Sequence, residues 1–183
     1  MRVLLRLRTR KLLNIFRRVI IQKKNVSVGK NLGFSIGTEL YFSDKSKVKI
    51  GDNEASDGKC RIIASNDAVL NIEDNCYFNM NCFIGANKYI SIGRHCVFGP
   101  GVIITDNDHK FEKNKGISSN SYNNGEVSIG SECWFGANVV IMKNTHIGDG
   151  CVIGAGCVIK GDVPANSIVT NHQELHIHQI EDR

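Results

Sequence analysis

The sequence predicts an all-β chain wound as a single parallel β-helix, and three observations carry that expectation. Apolar residues recur at every sixth position, glycine is abundant where proline is scarce, and no helical periodicity runs beyond residue 25. The 183 residues include 18 glycines but 2 prolines, and 42% are hydrophobic, enough for one substantial core. Val and Ile in quantity suit short strands, and glycine suits the tight corners between them.

The clearest ladder reads Ile129, Phe135, Ile141, Ile147, Ile153, Ile159. Before it, Ile72, Phe78 and Ile84 keep the same step, extra residues intervene near Lys88 and Tyr89, and Ile92, Phe98 and Ile104 resume it. Ile50 and the stretch from Val26 to Ile36 read as weaker, earlier turns. A period of six fits neither an amphipathic helix nor a long strand reversing at hairpins. Each unit is therefore one short strand plus one corner, and three units make a triangular coil. Stacked coils pair strand on strand in parallel, with the laddered side chains pointing inward.

The fourth residue after each ladder position is small or modest in size, and Cys76, Cys82, Cys96, Cys133, Cys151 and Cys157 all fall in these slots. A thiol there acts as a small hydrophobe. Only Cys60 lies outside a clear register, and the spacing matches the coil rather than a zinc framework or a disulfide set. No metal is expected.

The charge divides the chain. Residues 1–24 hold nine Lys or Arg and no acid, whereas the remainder has 14 basic against 18 acidic residues. Residues 1–24 are read as a basic amphipathic helix, with Leu4, Leu5, Leu12, Ile15, Phe16 and Val19 on one side. Arginines punctuate it too often for a signal peptide or a membrane span, so a cytoplasmic protein is expected, with peripheral contact to an anionic inner membrane face through residues 1–22 as one option and packing against the domain end as the other. Residues 25–169 form the β-helix, 105–127 leave it as a polar loop, and 170–183 form a tail. No basic stripe with stacking aromatics marks a nucleic-acid surface.

The segment from Ile129 to Ile168, IGSECWFGANVVIMKNTHIGDGCVIGAGCVIKGDVPANSI, resembles the C-terminal coils of hexapeptide-repeat O-acetyltransferases, such as those acting on galactosides, maltose and polysaccharides. The likeness runs from about Ser65 to Ile168. It implies a left-handed coil, a homotrimer with sites between subunits, acetyl-coenzyme A as donor, and a saccharide acceptor in surface polysaccharide biosynthesis.

The same resemblance nominates the site residues. The family places its general base where the loop leaves the coil, which is His109. An imidazole suits proton removal from an alcohol near neutral pH. Asp106 and Asp108 are local candidates to hold its other ring nitrogen, and Asp108 is also an acceptor-site candidate. Asn79 matches an acceptor-site asparagine close to the chemistry, and Asn87 a second sugar-contacting position where the family often has Asp. Trp134 matches the tryptophan beside the pantetheine arm, and Ala137 and Ala155 the backbone groups that pair with it. Lys160 stands one residue before the family's phosphate-contacting lysine, with Gly161 at the expected place. A non-sugar acceptor, such as an amino acid or an antibiotic, is the alternative within the family. A zinc hydro-lyase of the gamma carbonic anhydrase kind shares the coil, but the spacing of His95, His109 and His146 does not reproduce its ligand set.

Overall fold

The computed structural model describes residues 13–16, 20–22, 24–172 and 174. Residues 13–16 and 20–21 are helical, and Asn14 is buried with its side-chain amide donating to the Phe34 carbonyl at 2.9 Å. The rest of the basic helix expected over residues 1–24, and most of the tail, lie outside the described residues.

The first coil carries β1 (Val26–Val28) and β2 (Glu39–Phe42), and the second β3 (Lys47–Ile50), β4 (Ala55–Ser56) and β5 (Arg61–Ala64). The third has β6 (Val69–Ile72), β7 (Tyr77–Phe78) and β8 (Phe83–Ala86), and the fourth β9 (Tyr89–Ile92), β10 (Val97–Phe98) and β11 (Ile103–Thr105). There the chain departs as a hairpin, β12 (Asn107–Glu112) and β13 (Gly116–Asn124). It returns through β14 (Glu126–Ile129), β15 (Trp134–Phe135), β16 (Val140–Ile147), β17 (Val152–Ile153), β18 (Val158–Val163) and β19 (Ile168–Val169).

These strands stack into a three-faced parallel solenoid. Face one holds β1, β3, β6, β9, β14 and the end of β16, while face two holds β2, β5, β8, β11 and the start of β16. Face three holds β4, β7, β10, β15, β17 and β19. β16 rounds the corner from face two to face one, and β18 repeats its path one coil on.

The six-residue ladders become three inward columns. Ile50, Ile72, Ile92, Ile129 and Ile147 stack on face one, and Ile62, Ile84, Ile104, Ile141 and Ile159 on face two. On face three Phe78, Phe98 and Phe135 stack with ring centroids 4.9 and 4.7 Å apart. All are buried. Each such side chain contributes roughly 1.5–3 kcal/mol relative to exposure, and because neighbouring coils share the gain, no single coil is stable alone.

Upstream of Ile72 the step lengthens. Val48 pairs with Leu70 but Val127 with Thr145, steps of 22 and 18 residues. The added residues form turns between faces two and one, closed by Ser46 N–H on the Ser43 carbonyl (3.2 Å) and Ala68 N–H on the Ser65 carbonyl (3.0 Å). Corner residues adopt left-handed backbone conformations, mostly asparagine: Asn31, Asn53, Asn66, Asn75, Asn81, Asn138, Asn144 and Asn166 all have φ between 52° and 64°. Asparagine tolerates this region better than other non-glycine residues.

The cysteines occupy the expected slots, and Cys60 joins them, contrary to the sequence reading. Register places it one coil below Cys82, and its thiol donates to the Asn79 carbonyl at 3.0 Å. Its ladder residue is Ser56, and that polar occupant hid the register. Every cysteine is free and buried. The thiols do more than fill space, because Cys76, Cys96, Cys133 and Cys151 donate to corner carbonyls of the next coil at 3.1–3.3 Å. In the second coil Glu54 stands in the same column beneath Cys76 and accepts its N–H at 3.1 Å, with Oε2 unpartnered among the described residues. Burial pushes the Glu54 carboxyl up to about 8.

Candidate active site

The polar segment is a β-hairpin arm rather than an irregular loop. Its base is set by Asp106, whose buried carboxylate accepts the backbone N–H groups of Asn87 (2.8 and 3.0 Å), Lys88 (2.7 Å) and Tyr89 (2.7 Å). A buried carboxylate is stable only when its lone pairs are met in this way. The Asp106 carbonyl meanwhile accepts Gly125 N–H at 2.6 Å, closing the return strand. The Asp106 carboxylate is therefore committed to the corner at 87–89, which removes it as a partner for His109.

Along the arm Asp108 pairs with Asn123 and His109 with Tyr122 in antiparallel register. The His109 and Tyr122 rings lie 4.7 Å apart at 39°. His109 is exposed, and near the arm's tip the facing pair Phe111 and Ile117 is 72% and 68% exposed, an apolar end without cover in the single chain. The Asp108 carboxylate takes Lys143 Nζ at 3.0 Å, so it too is engaged away from the imidazole.

Beneath the arm, against face two, lies a cavity of about 440 Å³. Phe83 and Gly85 form its floor, and Ser65, Asn66, Asn87, Thr105, Asn107 and Tyr122 supply hydroxyls and amides around it. Among the described residues no charged side chain lines it. A Cβ on Gly85 would meet the Phe83 ring at 2.8 Å, so the glycine is what lets that ring lie flat across the strand. Asn87 is nearly buried, accepting from the Asn66 amide at 2.7 Å and donating to Asn124 Oδ1 at 2.8 Å. Asn66, Asn107 and Tyr122 were not legible as site residues, since nothing in their spacing distinguishes them from other polar corner or loop residues.

The other nominated residues stand elsewhere on the prism. Asn79 follows β7 at the corner between faces three and two, at the far end of β8 from Asn87, with its Oδ1 accepting Met80 N–H at 2.7 Å. Trp134 lies on face three between Val97 and Val152 and is 55% exposed. Ala137 and Ala155 stack in the corner that follows, where a Cβ on Gly136 would meet the Ala155 nitrogen at 2.5 Å; that contact requires glycine. Lys160 is exposed, and Gly161 beside it has φ +93°. On one chain the nominated residues thus fall into two groups, one at the arm and the corner between faces two and one, the other on face three and its following corner.

Of the other described histidines, His95 and His146 have structural partners, and His172 is exposed in the tail. His95 takes an asparagine's place in the corner ladder, its Nδ1 2.6 Å from Glu132 and Nε2 3.1 Å from Asn75, and His146 contacts Ser128 at 2.8 Å. Among the described residues no group of three His, Cys, Asp or Glu side chains forms a metal-binding cluster, and no helix is long and apolar enough to cross a membrane.

Comparison with known proteins agrees with this architecture. Residues 126–161 match the bacterial transferase hexapeptide (six repeats), and residues 80–106 the hexapeptide repeat of succinyl-transferase. An Escherichia coli K12 protein named for lipopolysaccharide biosynthesis O-acetyl transfer, WbbJ, is 29% identical over 137 residues, covering 70% of each chain. A Bacillus cereus N-acyltransferase, AntD, crystallised with a dTDP-amino sugar and coenzyme A, shares the fold at a TM-score of 0.56 and 19% identity, over 78% of this chain and 77% of that one. A Vibrio cholerae hexapeptide-repeat acetyltransferase crystallised with acetyl coenzyme A is 26% identical with a TM-score of 0.48, and the match spans about half of it: 53% of this chain and 54% of that one. The chain thus carries hexapeptide repeats over residues 80–106 and 126–161, on a parallel three-faced solenoid, and is similar to hexapeptide-repeat acetyltransferases.

Proposed function

We propose that the protein transfers the acetyl group of acetyl-coenzyme A to a hydroxyl of a neutral saccharide, with His109 as general base. The observation that carries this reading is the cavity lined by Tyr122, whose ring lies 4.7 Å from that of His109, together with amides, hydroxyls and the Phe83 ring and, among the described residues, no charged side chain. Amides and hydroxyls both donate and accept, which suits a polyol, and an aromatic face suits the apolar face of a sugar ring. An amino-acid carboxylate or a polycationic antibiotic would meet no counter-charge there, which disfavours the non-sugar acceptors.

Chemically, the acceptor oxygen attacks the thioester carbonyl carbon as a His109 ring nitrogen takes its proton. The tetrahedral intermediate then collapses by breaking the carbon–sulfur bond, and the departing thiolate recovers the proton from the imidazolium. The products are the acetyl ester and free coenzyme A. No acyl-enzyme is required, and the cysteines are buried in the core. Since Asp106 and Asp108 are otherwise engaged, the positioning of the imidazole falls to the Tyr122 ring and the arm itself.

The donor belongs along face three, with Trp134 beside the thioester, Ala137 and Ala155 along the pantetheine arm, and Lys160 toward the phosphates. Because this half-site and His109 lie at different places on one prism, the complete site forms between copies, in keeping with a homotrimer. The name of the Escherichia coli relative supports a surface glycan as acceptor, and the basic residues 1–22 support work at the inner membrane face. An acceptor screen with labelled acetyl-coenzyme A tests the reading: neutral sugars or glycans are acetylated and His109→Ala loses about 10²–10⁴-fold in kcat. Full turnover by His109→Ala, or acetylation confined to charged non-sugar acceptors, contradicts it.

A further inference from the structure

Lys143 stands outside every residue so far given a part in the chemistry, yet it is the only described cation bound to the arm that carries His109 from the body of the prism. It sits on β16 where that strand rounds the corner from face two to face one, at the irregularity in register between Ile141 and Thr145. From there Nζ reaches Asp108 Oδ2 at 3.0 Å and the Asn123 carbonyl at 3.0 Å. Those two acceptors face each other across the hairpin, one on each strand.

We propose that Lys143 is a positioning residue for the general base, a latch that holds both strands of the arm against the prism; the inference rests on the function proposed above. Side chains alternate across a strand, so Asp108 and Asn123 belong to the rung next to that of His109 and Tyr122, on the opposite face. Fixing one rung sets the orientation in which the next presents the imidazole. Among the described residues the hairpin is otherwise tied at its base, by Asp106 to the corner at 87–89, by Gly125 to the Asp106 carbonyl and by Asn124 to the Asn87 amide. With the base alone fixed, the arm can pivot; a second tie at the Asp108 rung removes that freedom.

Three features separate this pair from an ordinary surface ion pair, which contributes little. The Lys143 side chain is only 11% exposed, so its attraction is weakly screened. It bonds a backbone carbonyl as well as a carboxylate, so it senses the path of the strand itself. And the return strand is packed directly on this corner, because a Cβ on Gly125 would meet Asn144 Oδ1 at 2.2 Å and Lys143 Cβ at 3.0 Å. Asp108 is 46% exposed and rehydrates when the lysine is lost, so replacing Lys143 loosens the arm without unfolding the prism.

The test compares wild type, Lys143→Met and Lys143→Arg as full chains, in steady-state acetyl transfer and in amide hydrogen exchange. Lys143→Met is expected to lower kcat about 10–100-fold while the KM for acetyl-coenzyme A stays within about twofold, because misplacing a base costs turnover and leaves the donor half-site intact. Lys143→Arg, which keeps the charge and the donors, recovers part of kcat. Exchange in Lys143→Met quickens over residues 107–124 and is unchanged in the coils. Wild-type kcat in Lys143→Met, a loss shared equally with acetyl-coenzyme A binding, or an arm whose exchange is unaltered overturns the latch. Absence of any transfer by the wild-type protein counts instead against the proposed function, and the exchange measurement then decides the latch by itself.

Discussion

Glu54 shows how one side chain couples the core to pH. Its carboxyl sits in a column that continues in thiols from Cys76 onward, and burial holds it protonated up to about 8. The unfolded chain releases that proton near the ordinary glutamate value of 4.5. Stability from this group is thus intact below about 4.5, declines as pH rises toward 8, and levels off above it, a loss of at most roughly 4–5 kcal/mol. Glu54→Gln keeps the hydrogen bond to Cys76 without the titration. Thermal melting at pH 5 and pH 8 should find the variant close to wild type at the lower pH and clearly more stable at the higher one; parallel melting temperatures at both would contradict the assignment. Asp106 is the opposite case, a charge that the fold satisfies with backbone donors. Asp106→Asn turns an NH2 group toward N–H donors and is expected to cost about 2–4 kcal/mol, read as a lower melting temperature together with faster exchange in the arm. A substitution that leaves both unchanged would show that the corner at 87–89 does not depend on this carboxylate.

At the level of elements, the coils were legible because their signal is periodic, and the arm was not because its signal is absent. From Ile72 onward each ladder position in sequence is a stacked position in space. Before Ile72 the turns at Ser43–Ser46 and Ser65–Ala68 break the step, and Ser56 replaces an aliphatic residue, so those coils read as weak and Cys60 as unplaced. The sequence reads the arm as a loop since none of the described side chains of Asn107–Glu112 or Gly116–Asn124 is buried, and the alternation that betrays a strand exists only where one side meets a core. For the same reason Tyr122 could not be singled out, as its meaning comes from a cross-strand partner 13 positions away. From sequence Asp106 is a candidate to orient the imidazole, and only the coil below it, through the amides of 87–89, shows where its carboxylate goes. The aromatic column belongs to this scale as well. Phe98 stacks on Phe78 and Phe135 at once, and Phe98→Ala should cost about 3–5 kcal/mol in denaturant unfolding because two neighbouring coils lose their contact together. A cost under 1 kcal/mol would mean that the coils do not share their core.

On the proposed function, the whole molecule is an incomplete enzyme when taken one chain at a time. The corner that carries His109 and the face that carries Trp134 are different parts of the prism, and the apolar surface at Phe111, Ile117 and Trp134 stands uncovered. Its surface is uneven at the other end too: Lys24, Lys47 and Lys49 line a groove on face one beside the end of the basic segment. If that end docks on anionic lipid, deleting residues 1–22 abolishes sedimentation with phosphatidylglycerol vesicles and leaves turnover on a soluble acceptor intact; unchanged sedimentation removes the membrane contact. The sharing of the active site is the claim on which the functional account turns. Its most direct measurement is acetyl transfer by a reassembled mixture of His109→Ala and Trp134→Ala chains. Each alone is expected to be inactive or nearly so, whereas in the mixture some interfaces join an intact His109 from one copy to an intact Trp134 from another, restoring up to about a quarter of wild-type activity at equal proportions. Activity no higher than the sum of the separate variants, in mixtures shown to exchange subunits, would contradict a site built between copies.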